Sequence, residues 1–201
     1  MRIPRATYRN IYVRSKRAGE RLMMSIRQFV EGKLKLKVNE EKSAVDRPWN
    51  RKFLGFSFTS QSETRIRIAP KTKQRFKDKV RELTSRRRSI SLESRIKNLN
   101  IYLRGWMGYF RLAETPSVFR ELDEWIRRRL RMCMLKQWKN PKTTRRELIK
   151  LGISTESAKK IGGSRKGYWH LAFTPQLNKA LGLRYWETQG LFSLTSAVSI
   201  G

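Results

Sequence analysis

The stretch RRRLRMCMLKQWKNPKTTRR, residues 127–146, carries nine Lys or Arg and no Asp or Glu. Guanidinium and ammonium groups at that density are suited to neutralising phosphate and releasing the counterions condensed on a polyanion. The candidate phosphate contacts are Arg120, just upstream, then Arg127, Arg128, Arg129, Arg131, Lys136, Lys139, Lys142, Arg145 and Arg146. Leu, Met, Cys and Trp are interleaved among them, so the segment is a structured surface rather than a disordered basic tail. On a helix, Arg127 and Arg131 stand about 6 Å apart along the axis, close to the spacing of successive phosphates in one strand. With Arg120 they fall opposite the apolar face. Arg129 instead projects into the apolar sector, where an unpaired charge costs too much to bury. Either the helix outruns its core there or Arg129 has a specific partner. Trp138, beside Lys139, could stack on an unpaired base or seal the helix end; the second is preferred.

Other chemistries are excluded by composition. Cys133 is the only cysteine and His170 the only histidine, so no internal disulfide and no Cys/His zinc site can form. Cys133 reads as a small buried hydrophobe, and His170 as packed or loop-exposed rather than catalytic. No metal site and no catalytic residue is assigned.

The whole chain shares the bias of the segment. Its 201 residues hold 47 Lys+Arg against 16 Asp+Glu, a formal net charge of +31. Self-repulsion at that charge favours a polyanionic partner. No long uncharged apolar run is present, so no membrane partner is expected. Hydrophobic residues make up 38 %, enough for real cores.

The elements that must position these residues are legible in outline. Ser15 caps a helix with Ala18, Leu22, Ile26 and Phe29 on one face, ending near Gly32. Leu34, Leu36 and Val38 alternate with lysines and predict a strand. FLGFSF and TRIRIAP, on either side of SQSE, predict a hairpin with Leu54, Phe56 and Phe58 on one face. Beyond Pro70 the pattern is helical. One helix bears Phe76, Val80 and Leu83. A second starts at Ser91 and aligns Leu92, Ile96, Leu99, Leu103, Trp106 and Phe110. Gly105 and Gly108 on its far side predict close approach of a neighbouring backbone. Thr115-Pro116 opens the helix that enters the basic segment, with Val118, Phe119, Leu122, Ile126, Leu130 and Cys133 as its apolar face. Thr144 and Glu147 fit a capping box, with Gly152 as the stop. Ser154 to Ile161 forms another short helix, and Thr174-Pro175 opens one that Gly182 closes. The pair in 144–161 is read as a packing unit in preference to a DNA-binding one.

The fold class expected is α+β, predominantly α-helical, with residues 1–69 and 70–194 as separate domains and 195–201 as a tail.

Several of these stretches resemble one family. IYVRSKRAGERLMMSIRQFVEGKLKLKVNEEKSAV and RKFLGFSF resemble the later palm of a group II intron reverse transcriptase. LRGWMGYFR and RRRLRMCMLKQWKNPKTTRRELIKLGI resemble its thumb, or maturase-specific domain X. The resemblance implies a partial palm (helix, strand, hairpin) followed by a basic thumb. It implies a protein that binds its own intron RNA and assists folding and splicing, with a DNA primer or target as a further partner. It assigns Phe53, Leu54, Gly55 and Phe56 to the turn that steadies a primer end, and Lys42 to the neighbourhood of the incoming nucleotide. Complete members use Mg²⁺ held by a Tyr-Ala-Asp-Asp segment. At the corresponding place this chain reads MRIPRATYRN, and its only aspartates, Asp46, Asp78 and Asp123, are not adjacent. The expectation is therefore a fragment that begins after the active site, with no cofactor of its own. One Cys and one His exclude the Cys/His-rich endonuclease of some members. Reverse transcription would need a second chain to supply the aspartates. A non-functional remnant and a ribosomal-type basic protein are the other readings; the amphipathic helices with six Trp argue against the last. A transit peptide is disfavoured, no secretory signal is present, and the expected setting is the bacterial cytoplasm, associated with RNA.

Overall fold

Ser15 caps the first helix as its position predicts: its hydroxyl accepts from the Ala18 amide at 3.2 Å, and α1 runs Lys16–Gly32. The computed structural model describes residues 10–61 and 63–198. The acid-free opening, residues 1–9, lies outside the described residues, as do Ser62 of the SQSE loop and the end of the expected tail, 199–201. The chain divides into two compact units, Met1–Ala69 and Pro70–Gly201. Among the described residues it is mostly helical, with one two-stranded antiparallel sheet.

In the first unit α1 buries only Gly19, where an added Cβ would meet Val45 Cγ1 at 2.7 Å. The expected face of Ala18, Leu22 and Ile26 is half-buried, and Phe29 is exposed. The strand expected at Leu34, Leu36 and Val38 does not form. The Leu34 and Leu36 amides instead donate back to the Phe29 and Val30 carbonyls, at 3.2 and 3.1 Å, and Lys35 takes a positive φ of 53°. Alternation supplies a pattern but no partner strand, and a strand without a ladder leaves its backbone unpaired. The chain therefore unwinds off the helix end.

The hairpin forms, but shorter than expected. β1 is Phe56–Phe58 and β2 is Ile66–Ile68, with Phe56 opposite Ile68 and Phe58 opposite Ile66. The preceding FLG, residues 53–55, is outside the strand: Leu54 and Gly55 both have positive φ, 49° and 86°, and Phe53 and Phe56 bridge across them. Two successive positive-φ residues give the tight reversal of primed hairpin turns. The inward residue of β1 is Ser57, not the phenylalanines. Its hydroxyl lies 3.1 and 2.9 Å from the Trp49 and Arg51 carbonyls, which satisfies a polar group on the buried face.

The second unit begins at Pro70. Its first helices are α2 (Pro70–Leu83), α3 (Leu92–Phe110) and α4 (Pro116–Gln137). Phe76, Val80, Ile96, Leu99, Leu103, Met107, Phe119, Leu122, Ile126 and Leu130 make its core. Each fully buried Leu, Ile or Phe contributes about 1.5–3 kcal/mol relative to exposure. Trp106 knits the three helices together, with ring centroids 4.4 Å from Phe76 and 6.2 Å from Phe119. Pro116 occupies the first turn of α4, but the Thr115 side chain makes no cap; its buried Oγ1 has no hydrogen-bond partner. Gly105 and Gly108 do not admit a neighbouring backbone, because an added Cβ at either would meet nothing within 4 Å. Gly105→Ala and Gly108→Ala are therefore expected to raise stability by about 0.5–1 kcal/mol each, through helix propensity alone. A urea midpoint that falls in either variant would contradict the open surface.

After α4 the chain turns at Lys139, with φ 54°, and Asn140 caps α5 (Pro141–Lys150) by accepting from Thr143 N at 2.8 Å. The expected cap, Thr144, lies inside the helix and donates its hydroxyl to the Asn140 carbonyl. Asn140-Pro141 wins because it offers both a side-chain acceptor and a residue that needs no amide partner. Gly152, at φ 80°, stops α5 as expected. Ser154 caps α6 (Thr155–Gly162), which packs on α5 so closely that a Cβ at Gly162 would stand 2.9 Å from the Pro141 carbonyl. Four short helices follow: α7 (Tyr168–Leu171), α8 (Pro175–Ala180), α9 (Leu183–Thr188) and α10 (Leu194–Val198). Residues 195–198 of the expected tail belong to α10, whose first residue, Leu194, is buried.

Candidate nucleic-acid interface

The geometry separates the ten basic candidates into two groups. Arg128, Arg129 and Arg131 are committed to the fold. Arg131, expected on the open face of α4, is 5 % exposed. Its Nε donates to the Ala172 carbonyl at 2.8 Å and its Nη1 to the Leu181 carbonyl at 3.1 Å. Those carbonyls close α7 and α8, so one guanidinium caps two helix ends. Burial pushes its pKa down to about 10, with Arg127 and Arg128 adding repulsion. It remains a cation at neutral pH. The expectation of a phosphate contact at Arg131 fails because a face opposite one apolar stripe is still buried when short helices from much later in the chain cover it.

Arg129 has the specific partner its position demanded. Its Nε donates to Thr84 Oγ1 at 2.9 Å, and Nη2 to the Arg81 and Thr84 carbonyls at 3.2 and 3.3 Å. These groups lie at the C-terminal end of α2, where carbonyls lack intrahelical donors. Burial lowers the Arg129 pKa. Arg95, which sequence reasoning did not single out, serves the same end from α3. It is 2 % exposed and donates to the Leu83, Ser85 and Arg88 carbonyls at 3.2, 2.9 and 3.1 Å. Cys133 is buried as expected, its thiol donating to the Thr84 carbonyl at 3.1 Å, and burial raises its pKa. Arg128 is half-buried and donates twice to the Trp169 carbonyl, at 3.2 and 3.0 Å.

The remaining candidates are accessible. Arg120, Lys136, Lys139, Lys142, Arg145 and Arg146 are exposed, and Arg127 is partly so. Trp138 is half-buried at the end of α4. On α5, Lys142, Arg145, Arg146 and Lys150 surround a shallow open depression floored by Ile149. The one carboxylate of α5, Glu147, takes a hydrogen bond from Arg146 at 3.0 Å and an ion pair from Lys150 at 3.5 Å, which hold its pKa below the usual carboxylate range. Lys142 and Arg145 make no ion pair among the described residues. Successive helical turns bring Lys142, Arg146 and Lys150 into one row.

In the first unit, Lys42 is exposed; its amide donates to Asn39 Oδ1 and its carbonyl accepts from Arg51 Nη2, both at 3.0 Å. Phe53 and Leu54 are exposed on the tight turn, with Gly55 and Phe56 half-buried behind them.

The aspartates do not fit a pair of Mg²⁺ ions. Asp46 accepts from Arg47 N and Asn50, Asp78 pairs with Arg81, and Asp123 is buried and saturated by Ser193, Leu194 and Thr195. Among the described residues no three His, Cys, Asp or Glu side chains cluster, and no helix is long and apolar enough to cross a membrane.

No curated protein matches the chain. Residues 73–152, from the first turn of α2 to the glycine that stops α5, match the family model of the group II intron maturase-specific domain.

Proposed function

We propose that the second unit is an RNA-binding maturase unit, which holds group II intron RNA through phosphate contacts and assists its folding and splicing. One observation carries the reading. The matched span ends on α5, whose Lys142, Arg145, Arg146 and Lys150 line one open depression in which no carboxylate takes part, the only acid of the helix being Glu147, paired with Arg146. Arg120 and Lys136 on α4, and Lys139 in the turn after it, add further exposed cations, and Arg127 contributes partly. Arg128, Arg129 and Arg131 act beneath that surface, fixing α2, α7 and α8 to α4. Polymerase chemistry has no support in the aspartates of this chain.

The test is binding of the full chain to a group II intron RNA, with unrelated structured RNA and duplex DNA as competitors, over a range of salt. Preferential intron binding at moderate salt is expected, since shape recognition adds to phosphate neutralisation. Lys142→Ala and Lys150→Ala should each weaken binding several-fold and lower the slope of log K against log salt by about one. Equal binding to all three polymers, vanishing together with salt, would leave only a polycation.

A further inference from the structure

The segment SRKGYWHLAF, residues 164–173, lies outside the span matched by the family model. It forms α7 and the turn after it, and it presents large aromatic rings to solvent. Phe173 is 63 % exposed and Trp169 is 37 % exposed. Both meet the same cation: the Arg128 guanidinium carbon lies 3.9 Å from the Trp169 ring centroid and 4.5 Å from that of Phe173. The two hydrogen bonds from Arg128 to the Trp169 carbonyl fix that cation, so the rings stand on a rigid support. Arg86, from the SRRRS turn, lies 5.9 Å from the neighbouring Tyr168 ring. That turn is itself held from behind by Arg95. No Asp or Glu occurs between Glu156 and Glu187, whereas Arg165 and Lys166 directly precede the aromatic run.

We propose that Trp169, Phe173 and Arg128 form a stacking platform for an unpaired nucleobase, flanked by arginines that take the adjoining phosphates. The argument is one of complementarity. Exposed aromatic rings are unfavourable in water, and on a segment with basic residues and no acid of its own the partner that fits them best brings both negative charge and flat apolar faces. An unpaired nucleotide brings both, and stacking is indifferent to base identity. A guanidinium against a ring pre-pays the ordering of the platform. The inference rests on the RNA-binding reading above and adds what feature of the RNA is recognised.

The experiment uses the full chain and two RNA hairpins that differ only by one unpaired purine, with anionic vesicles as a third ligand. Wild type, Phe173→Ala, Trp169→Ala and Trp169→Phe are compared by fluorescence anisotropy at fixed salt. The expected result is preference of wild type for the bulged hairpin. Either alanine variant should lose that preference, with affinity for the bulged hairpin falling on the order of tenfold and affinity for the paired hairpin little changed. Trp169→Phe should retain most of the preference. Phe173 is exposed enough that its replacement spares the fold, so it decides the matter if Trp169→Ala unfolds. Equal losses on both hairpins, or no loss on either while binding persists, would overturn the platform and leave the RNA-binding reading standing. Loss confined to vesicles would assign the rings to a lipid surface instead. A chain that binds neither hairpin overturns both readings.

Discussion

Arg131→Ala is expected to destabilise the second unit by about 3–4 kcal/mol, a large fraction of what holds a domain of this size together. The Leu181 carbonyl keeps a bond from Trp186 Nε1 at 2.9 Å, so the heavier loss falls on the Ala172 carbonyl. An orphaned buried acceptor costs about 1–3 kcal/mol, and the void left by a long buried side chain adds a similar amount. The check is a urea titration: the midpoint should fall with the slope unchanged. Arg131→Lys should lose an intermediate amount, since one ammonium does not reproduce the planar fork that spans two helix ends. Where the variant is still folded, its RNA affinity should keep the wild-type salt slope, which a phosphate-contacting arginine would not do. The pH dependence has a definite sign. Its folded pKa, about 10, lies below the ordinary arginine value, so the cost of burying the charge is fully present below pH 10. That cost is relieved only as pH rises above it, because there the unfolded chain binds the extra proton. Stability from this group is therefore flat through the neutral range. A midpoint equal to wild type would show that the side chain is not buried.

Asp123→Ala should have the second largest effect. This buried carboxylate accepts from Ser193 Oγ, Leu194 N, Thr195 N and Thr195 Oγ1, all between 2.8 and 3.0 Å. Bonds to an ionised acceptor are each stronger than neutral ones, so a loss of about 3 kcal/mol is expected, with its main effect local to residues 193–198. Asn100 holds the preceding stretch independently, donating to the Gly190 carbonyl and accepting from Phe192 N. Hydrogen exchange should therefore show the Leu194 and Thr195 amides deprotected while Phe192 stays slow. Unchanged protection at Leu194 would show that Asp123 does not hold α10 in place.

What the sequence made legible were features whose causes are local. Ser15, Ser91 and Ser154 cap helices, Pro70 and Pro116 open them, and Gly152 stops one. Each of these depends on residues within one turn. What failed depended on partners far along the chain. The strand at Leu34–Val38 had the alternation but no ladder. Gly105 and Gly108 had the spacing of a close contact but no neighbour. Arg131 had the position of a surface residue, and only α7 and α8, some forty and fifty residues later, put it inside. Arg129 could be flagged because its sector was wrong for a charge; Arg131 could not, since nothing in its own helix distinguishes it from Arg127. The short helices α7, α9 and α10 escaped for a related reason: at four to six residues they have no periodicity to read, and tertiary contacts hold them. For the candidate interface, the residue types were legible and the division between outward and inward arginines was not.

Arg95 and Arg131 are internal cations neutralised by carbonyl dipoles rather than by acids, in a chain with 47 basic residues and 16 acidic ones. Dissolved ions do not compete for those bonds, because screening acts on exposed charges and hardly on buried ones. The outer layer of lysines and arginines is, by contrast, fully open to competition. The charge of the surface and the integrity of the fold are thereby uncoupled: salt that masks the outer layer leaves the carbonyl-bound arginines in place, so ionic strength tunes what the surface attracts without loosening the scaffold beneath it.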